Sequence, residues 1–250
     1  MGEATGQLVI IGLPKCGNVF FRKAMQATLG CEDMVLCTRA NMQQQIIPER
    51  LIEFAASPRA VGGQHLPPTV YNLRLLEAVG VRRIALLFRD PRDALISWWH
   101  HLERPDIKAP PWAPVALYAA GLQSRNYYEL SLNDKLSDLI EHMYPAMQRW
   151  MAAWVEVMDN VSPFQFHVNA YEKFAPDPAQ SVRRMLEFFG HDCSPILPSI
   201  GAKDASGIDP QTHHRRGQIG SYRDETPPEL IGRLDQHLDR PLAARLGWPI

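Results

Sequence analysis

The sequence predicts a single α/β domain, residues 1–250, with a central, mostly parallel sheet flanked by helices. Three observations carry that reading. Strand-like apolar runs alternate along the chain with helical patterns, as strands and crossover helices do. The first run, Leu8–Ile11, breaks at Gly12 into a tight turn and resumes as a helix. A length of 250 residues, 46% of them hydrophobic, suffices for one large core and is short for two.

The elements follow in order. Leu8, Val9, Ile10 and Ile11 form a buried, partly β-branched strand, followed by the first helix. Met34–Cys37 is a weak strand candidate and Arg59–Gln64 a stronger one, which Pro67-Pro68 ends. Arg83–Phe88 (RIALLF) is a clear buried strand, and Asp90-Pro91 then opens a helix with proline in its first turn. Phe164–Val168 is the fifth strand. Between the last two strands, Leu136, Leu139, Ile140, Met143, Met147, Trp150 and Trp154 recur at three- and four-residue spacing and mark a core-facing helical stripe. Ser181–Phe189 carries a second amphipathic pattern stopped by Gly190. Glu103–Pro114, rich in proline, and Ala202–Arg223, rich in Gly, Asp, His and Arg, read as long loops of the kind that cover or line sites.

Composition narrows the class. A net charge of −1 supplies no global basic field, so nucleic acid is not expected as a partner and any anion site must be a local cluster of Lys and Arg. Cys16, Cys31, Cys37 and Cys193 show neither C-x-x-C pairing nor metal-ligand spacing, and read as reduced, mostly buried thiols. No basic segment with an apolar core opens the chain, and charge or proline interrupts every apolar run before membrane-spanning length. The expected location is cytoplasmic.

The chemistry begins in the first turn. Gly12 and Gly17 bracket a loop that holds Lys15, and the following helix aims its unpaired N–H groups and positive dipole end back at the loop. This P-loop-like arrangement suits phosphate. A Walker A loop places lysine and a metal-binding hydroxyl after the second glycine. Here Asn18 and Val19 follow Gly17, and the lysine precedes it, so the loop is poorly built for Mg-nucleotide. An ordinary strand–turn–helix connection is the alternative. Arg89 follows the strand Arg83–Phe88, with Ser97 eight residues on, where together they can grip a second phosphate. A salt bridge to Asp90 or Asp93 would be the plain role for that arginine. His65, in Gln64-His65-Leu66-Pro67, follows another strand and is placed at the same sheet edge, where imidazole can take a proton near neutral pH. His213-His214-Arg215-Arg216-Gly217 can close over an anion or form a solvated basic turn.

Together these elements resemble the PAPS-dependent sulfotransferase family, through most of the chain and in family order. PKCGNVFFR resembles its 5′-phosphosulfate loop, with Gly17-Asn18 leaning toward bacterial-type members. Gln64-His65-Leu66-Pro67 resembles THLP, and Arg89 through Ser97 resembles RNPKDxxxS. Tyr171-Glu172 followed by Pro176 resembles the YED element, and Arg215-Arg216-Gly217 resembles RKG. The resemblance implies sulfuryl transfer from PAPS, with PAP as product and no metal, to a hydroxyl or amine of a small-molecule, lipid or glycan acceptor. It implies His65 as general base and Lys15 as the charge that stabilises the leaving phosphate. Cys16, Gly17, Asn18, Val19 and Phe20 would complete the donor loop. Arg89, Ser97, Arg215, Arg216 and Gly217 would hold the 3′-phosphate, and Tyr171 with Phe20 would flank adenine.

Departures are visible. Cys16, Val19 and Phe20 replace the family's Ser or Ala, Thr and Trp, and Gly63 stands where many members carry a second lysine. The family's C-terminal dimerisation pattern is not reproduced around Arg223–Glu229, so the sequence assigns no oligomeric state. Trp98, Trp99, Trp112 and Tyr118 suggest a partly apolar acceptor or, equally, core. Two rival readings stand beside transfer from PAPS. One is a P-loop kinase of a small metabolite. The other is a non-catalytic member that binds PAP or another nucleotide.

Overall fold

The computed structural model describes residues 6–38, 44–108, 116–118, 120–122, 126–160, 162–192 and 218–250. Five strands, β1 (Gln7–Gly12), β2 (Glu32–Asp33), β3 (Ala60–Gln64), β4 (Arg83–Phe88) and β5 (Gln165–Ala170), form one sheet in the order β2-β3-β1-β4-β5. Every named pairing is parallel. β1 is central, and Leu8 through Ile11 are fully buried, as a strand covered on both faces requires.

Register decides where the site lies. Ile11 pairs with Gln64, Gly12 with Leu87, and Phe88 with Ala170, so β1, β3, β4 and β5 end almost level. The residues that follow them, 13–17, His65, Arg89 and Tyr171, are delivered to one rim. This is the carboxyl edge at which open parallel sheets present ligand-binding groups.

Helices α1 (Asn18–Leu29), α2 (Pro48–Ala56), α3 (Val70–Ala78) and α4 (Pro91–Leu102) flank the sheet. The predicted long helical region comprises Leu132–Asp138, one π-helical stretch at Leu139–Met143, and Tyr144–Asp159. Pro145, in the first turn of the last segment, has no N–H to donate, and the ladder widens just before it. All seven stripe residues are buried, Trp150 the most exposed at 5%. The second amphipathic helix starts earlier than its apolar pattern, at Pro178 behind an Asp177 cap, and ends at Gly190 as expected.

The second strand differs from expectation. It is Glu32–Asp33; Met34 still donates its N–H to the Val61 carbonyl of β3, and the chain leaves the sheet after it. Cys37 instead bridges Ile46 in antiparallel fashion, Thr38 donates to the Gln45 carbonyl, and Ile47 donates to that of Leu36. The chain folds back on itself there, which an apolar run cannot announce. The fifth strand is likewise shifted, beginning at Gln165. The loop expected at Glu103–Pro114 contains a helical turn, Pro105–Lys108, and its residues 109–114 lie outside the described residues. The loop expected at Ala202–Arg223 is described only from Gln218, and Tyr222 opens a helical turn. Cys16, Cys31 and Cys37 are free and buried, while Cys193 lies outside the described residues. No helix among the described residues is long and apolar enough to cross a membrane.

β3 closes on an unusual turn. Gly63 has φ +127°, and a Cβ there would lie 2.3 Å from the Ile10 carbonyl oxygen. Gly63→Ala should therefore lower unfolding free energy by about 2–4 kcal/mol. Gly232 lies in the helix Pro228–Gln236 with nothing within 4 Å of a Cβ, and Gly232→Ala should raise it by about 0.5–1 kcal/mol. Urea unfolding of both variants checks the pair; equal effects would show that the β3 turn tolerates a side chain.

Candidate active site

Residues 13–17 form a tight loop whose turn is closed by the Cys16 N–H on the Leu13 carbonyl. Lys15 takes φ +71°, a left-handed conformation that non-glycine residues enter at a cost. Gly17, at φ +96°, caps α1, and a Cβ there would press to 2.8 Å from the Phe174 ring. The α1 N-terminus carries no side-chain cap. The Asn18 Nδ2 turns inward and donates to the Leu13 carbonyl at 2.6 Å. The loop is thus held by its own backbone and Asn18, with the positive end of a three-turn helix directed at its mouth. Cys16 is fully buried and its thiol is pushed far up by burial, so its contribution to a ligand is confined to the main chain. Val19 is exposed, and Phe20 stacks on Phe174 with ring centroids 5.7 Å apart.

Arg89 reaches this loop from the end of β4. One guanidinium nitrogen donates to the Lys15 carbonyl at 3.2 Å and another to the Gln218 carbonyl at 3.3 Å, while the group lies 4.1 Å from the centre of the Tyr171 ring. Arg89 is only 5% exposed, and its Nε is buried without a partner. Among the described residues no carboxylate pairs with it. Asp90 pairs with Arg92, and Asp93 accepts from Gly220, Ser221 and Tyr222, so the salt bridges expected on the plain reading are not formed. A nearly buried cation balanced only by carbonyl oxygens and a ring face is suited to a bound anion. The uncapped helix start and this unpartnered Nε together offer two separate places suited to anionic groups.

His65 lies on the other side of the same loop. Its Nδ1 is 2.6 Å from the Gly12 carbonyl oxygen. A carbonyl can only accept, so Nδ1 carries the proton and Nε2 keeps its lone pair. Burial pushes the pKa of the half-buried ring down to about 4, against the Gly12 bond, with Arg22 and Lys15 pushing it down further. The ring is neutral throughout the physiological range.

Ser97 is half-buried on α4, one turn beyond Asp93 on the same face. Arg215, Arg216 and Gly217 lie outside the described residues, as does Trp112. Tyr118 is 66% exposed, and Trp98 and Trp99 pack partly against the core. Sequence reasoning missed two kinds of contributor. Trp150 and Trp154, read as packing, are packed, yet their indole N–H groups donate to the carbonyls of His65 and Leu66 at 3.3 and 2.9 Å. The signal was the residue type, because a buried indole needs an acceptor where leucine does not. Glu172 was matched only as part of a motif. It accepts from the Asp90 N–H and the Trp248 indole, tying the ends of β4 and β5 to the C-terminus.

Residues 5–245 match the family model for the sulfotransferase domain. The chain is similar to a flavonol 3-sulfotransferase of Flaveria bidentis, 20% identical over 188 residues that cover 65% of this chain and 55% of that protein. It spans about half the length of the curated relatives it matches. Its fold resembles a mouse sulfotransferase complexed with PAP (TM-score 0.60, 14% identity, 98% of this chain and 90% of that one). It also resembles a retinol dehydratase solved with androsterone and inactive cofactor PAP (TM-score 0.56, 14% identity, 94% of this chain and 80% of that one).

The His65 ring offers a direct check. Its pKa is lowered on folding, from about 6.5 to about 4, so the stability it contributes is complete above pH 6.5 and is lost as pH falls through that window. In an NMR titration the His65 ring signals should hold their neutral shifts to near pH 4; a midpoint near 6.5 would mean that the ring is solvated.

Proposed function

The chain belongs to the sulfotransferase-domain family, and from that premise we propose that it transfers a sulfuryl group from PAPS to a hydroxyl or amine of a partly apolar acceptor. We read residues 1–250 as one such domain, in keeping with the extent of the family match. The observation that carries the proposal is the meeting of Lys15, Arg89 and His65 on one loop. Arg89 bonds the Lys15 carbonyl at 3.2 Å, and the His65 ring bonds the Gly12 carbonyl at 2.6 Å. An arginine and a neutral imidazole thus both bond the backbone of the turn that carries Lys15, which supports reading them as one site.

PAPS supplies the sulfuryl group and leaves as PAP. Lys15 and the α1 N-terminus neutralise the charge that gathers on the 5′-phosphate side as the bond to the leaving oxygen lengthens. Backbone N–H groups of residues 17–20 hold that end of the donor. Arg89, with Ser97 and residues 215–217, holds the 3′-phosphate, and this grip separates the donor from ATP. Phe20 and Tyr171, both packed on Phe174, flank the adenine. His65 accepts the acceptor's proton at Nε2, and the Nδ1–H bond to Gly12 stabilises the imidazolium that results. Its low pKa keeps that lone pair available well below neutrality. The androsterone held by the retinol dehydratase supports an apolar alcohol as one acceptor type, in keeping with the half-buried indoles Trp98 and Trp99.

A kinase would need lysine and then a hydroxyl for Mg²⁺ after Gly17; Asn18, turned into the loop, and the exposed Val19 stand there instead. Three measurements test the proposal. PAP should raise the melting temperature, because it binds only the native state, and Mg·ATP should not; the reverse ranking would favour the kinase. His65→Ala should lower turnover about 10²–10⁴-fold with PAP affinity little changed, and near-parental turnover would remove His65 from the mechanism. Arg89→Ala should weaken PAP about 10–100-fold and adenosine 5′-phosphate far less. Equal losses for the two ligands would refute the 3′-phosphate assignment.

A further inference from the structure

The backbone that delivers His65 takes positive φ twice in succession. Gly63 has φ +127° and Gln64, a non-glycine residue, φ +75°. Glycine enters that region without penalty, but Gln64 does so at a cost in free energy that the surroundings must offset. The residue that follows is fixed from every side. Its carbonyl accepts from Trp150 and its ring bonds Gly12. Its own N–H donates to the Gln44 Oε1 at 3.0 Å.

Gln44 comes from the turn between Cys37 and Ile46 and is 2% exposed. Its Oε1 also accepts from the Cys37 thiol at 3.0 Å, and burial keeps that thiol protonated by raising its pKa to about 12. The Gln44 main chain is fastened in turn. Asn72 of α3, 1% exposed, donates from Nδ2 to the Gln44 carbonyl and to the Pro67 carbonyl, each at 3.0 Å, and its Oδ1 accepts from the Ile46 N–H at 3.0 Å. One amide therefore spans both flanks of His65, reaching residue 44 before it and residue 67 after it.

We propose that Gln44 is a positioning residue for His65, which sets the imidazole over the Gly12 carbonyl by holding the His65 N–H, and that Asn72 anchors Gln44. This rests on the reading of His65 as the proton acceptor. Among the described residues the Gln44 Oε1 accepts from two donors, the Cys37 thiol and the His65 N–H, and an apolar side chain in its place would leave that main-chain N–H without its acceptor. The benefit is to the ring. A shift of about 1 Å in a reacting group can cost about 10²-fold in rate.

The test uses Gln44→Met, which keeps the length and removes the acceptor, and Gln44→Glu, which keeps an acceptor oxygen. Gln44→Met should lower kcat about 10–100-fold while KM for PAPS and PAP affinity stay near parental, and the His65 Nδ1–H resonance should weaken as its bond to Gly12 loosens. Gln44→Glu should recover much of the rate. Should Gln44→Met fold poorly, Asn72→Asp, which retains the Ile46 contact and loses both Nδ2 donations, should show the same split with a smaller drop. Parental kcat with an unchanged His65 resonance overturns the proposal. So does a loss shared equally by kcat, PAP affinity and melting temperature that Gln44→Glu fails to relieve. If His65→Ala retains turnover, the base reading fails instead; if His65→Ala is inactive and Gln44→Met is normal, only the positioning role falls.

Discussion

The site is organised around a buried positive charge. The Arg89 guanidinium is withdrawn from water and balanced by two carbonyls and the face of Tyr171. Those three contacts come from the loop after β1, from the segment that resumes at Gln218 and from the end of β5. One cation thus joins parts of the chain more than 120 residues apart in sequence, as its bond to Gln218 shows. Desolvating a charge without a carboxylate is unfavourable. An anion entering there would relieve the imbalance, and the Arg89 Nε has no other partner.

The neighbouring arginine shows how position divides two like residues. Arg92, three residues on, is buried as deeply, but Asp90 and Asp235 neutralise it, the Pro249 carbonyl accepts from it, and Tyr222 lies beneath it. Its pKa is pushed well up by those carboxylates, against the effect of burial. It therefore serves as a strut between α4 and the C-terminal helices. Asp93 completes the division. Fully engaged by the backbone of Gly220 and Tyr222 and the hydroxyl of Ser221, it fixes the stretch whose first described residue meets Arg89. The first turn of α4 supplies structure on one face and leaves Arg89, just before its cap, for the ligand.

Much of this was legible in the residues and some was not, for identifiable reasons. β1 and β4 stand out because strands buried on both faces read as continuous apolar runs, and the helix start at Asp90-Pro91 carries cap chemistry. Lys15, His65 and Arg89 could be placed on one rim because parallel strands must all end there. The second strand was read too far because beyond Met34 the chain pairs with residues 45–47, Cys37 bridging Ile46, rather than with the sheet. The RDPRD stretch offered two arginines and two aspartates with no means of pairing them, since the partners Asp235 and Tyr222 are distant in sequence. Gln44 was invisible for the same reason: the middle of three consecutive glutamines looks like surface until its partner at the end of β3 is known.

Gly63 brings the strained backbone and the chemistry together. The family resemblance sets a lysine at this position in many members, and its loss reads from sequence as a missing charge beside the transferred group. The backbone here gives another account. With φ +127° and the Ile10 carbonyl 2.3 Å from a Cβ, no side chain can occupy the position while β3 stays in register with β1. The strand approaches β1 more closely than a lysine-bearing turn allows, and that approach carries Gln64 and His65 into the turn that sets the ring on Gly12. Positive charge for the proposed transfer then has to come from the β1 side, from Lys15 and the start of α1, because Arg22, one turn into the helix, is paired with Asp33. The His65 pKa is held down first by burial and only then by Arg22 and Lys15. On the proposed reading the imidazole is therefore kept neutral chiefly by its burial, and a glycine at position 63 is the steric condition for the close approach of β3 to β1 that places it.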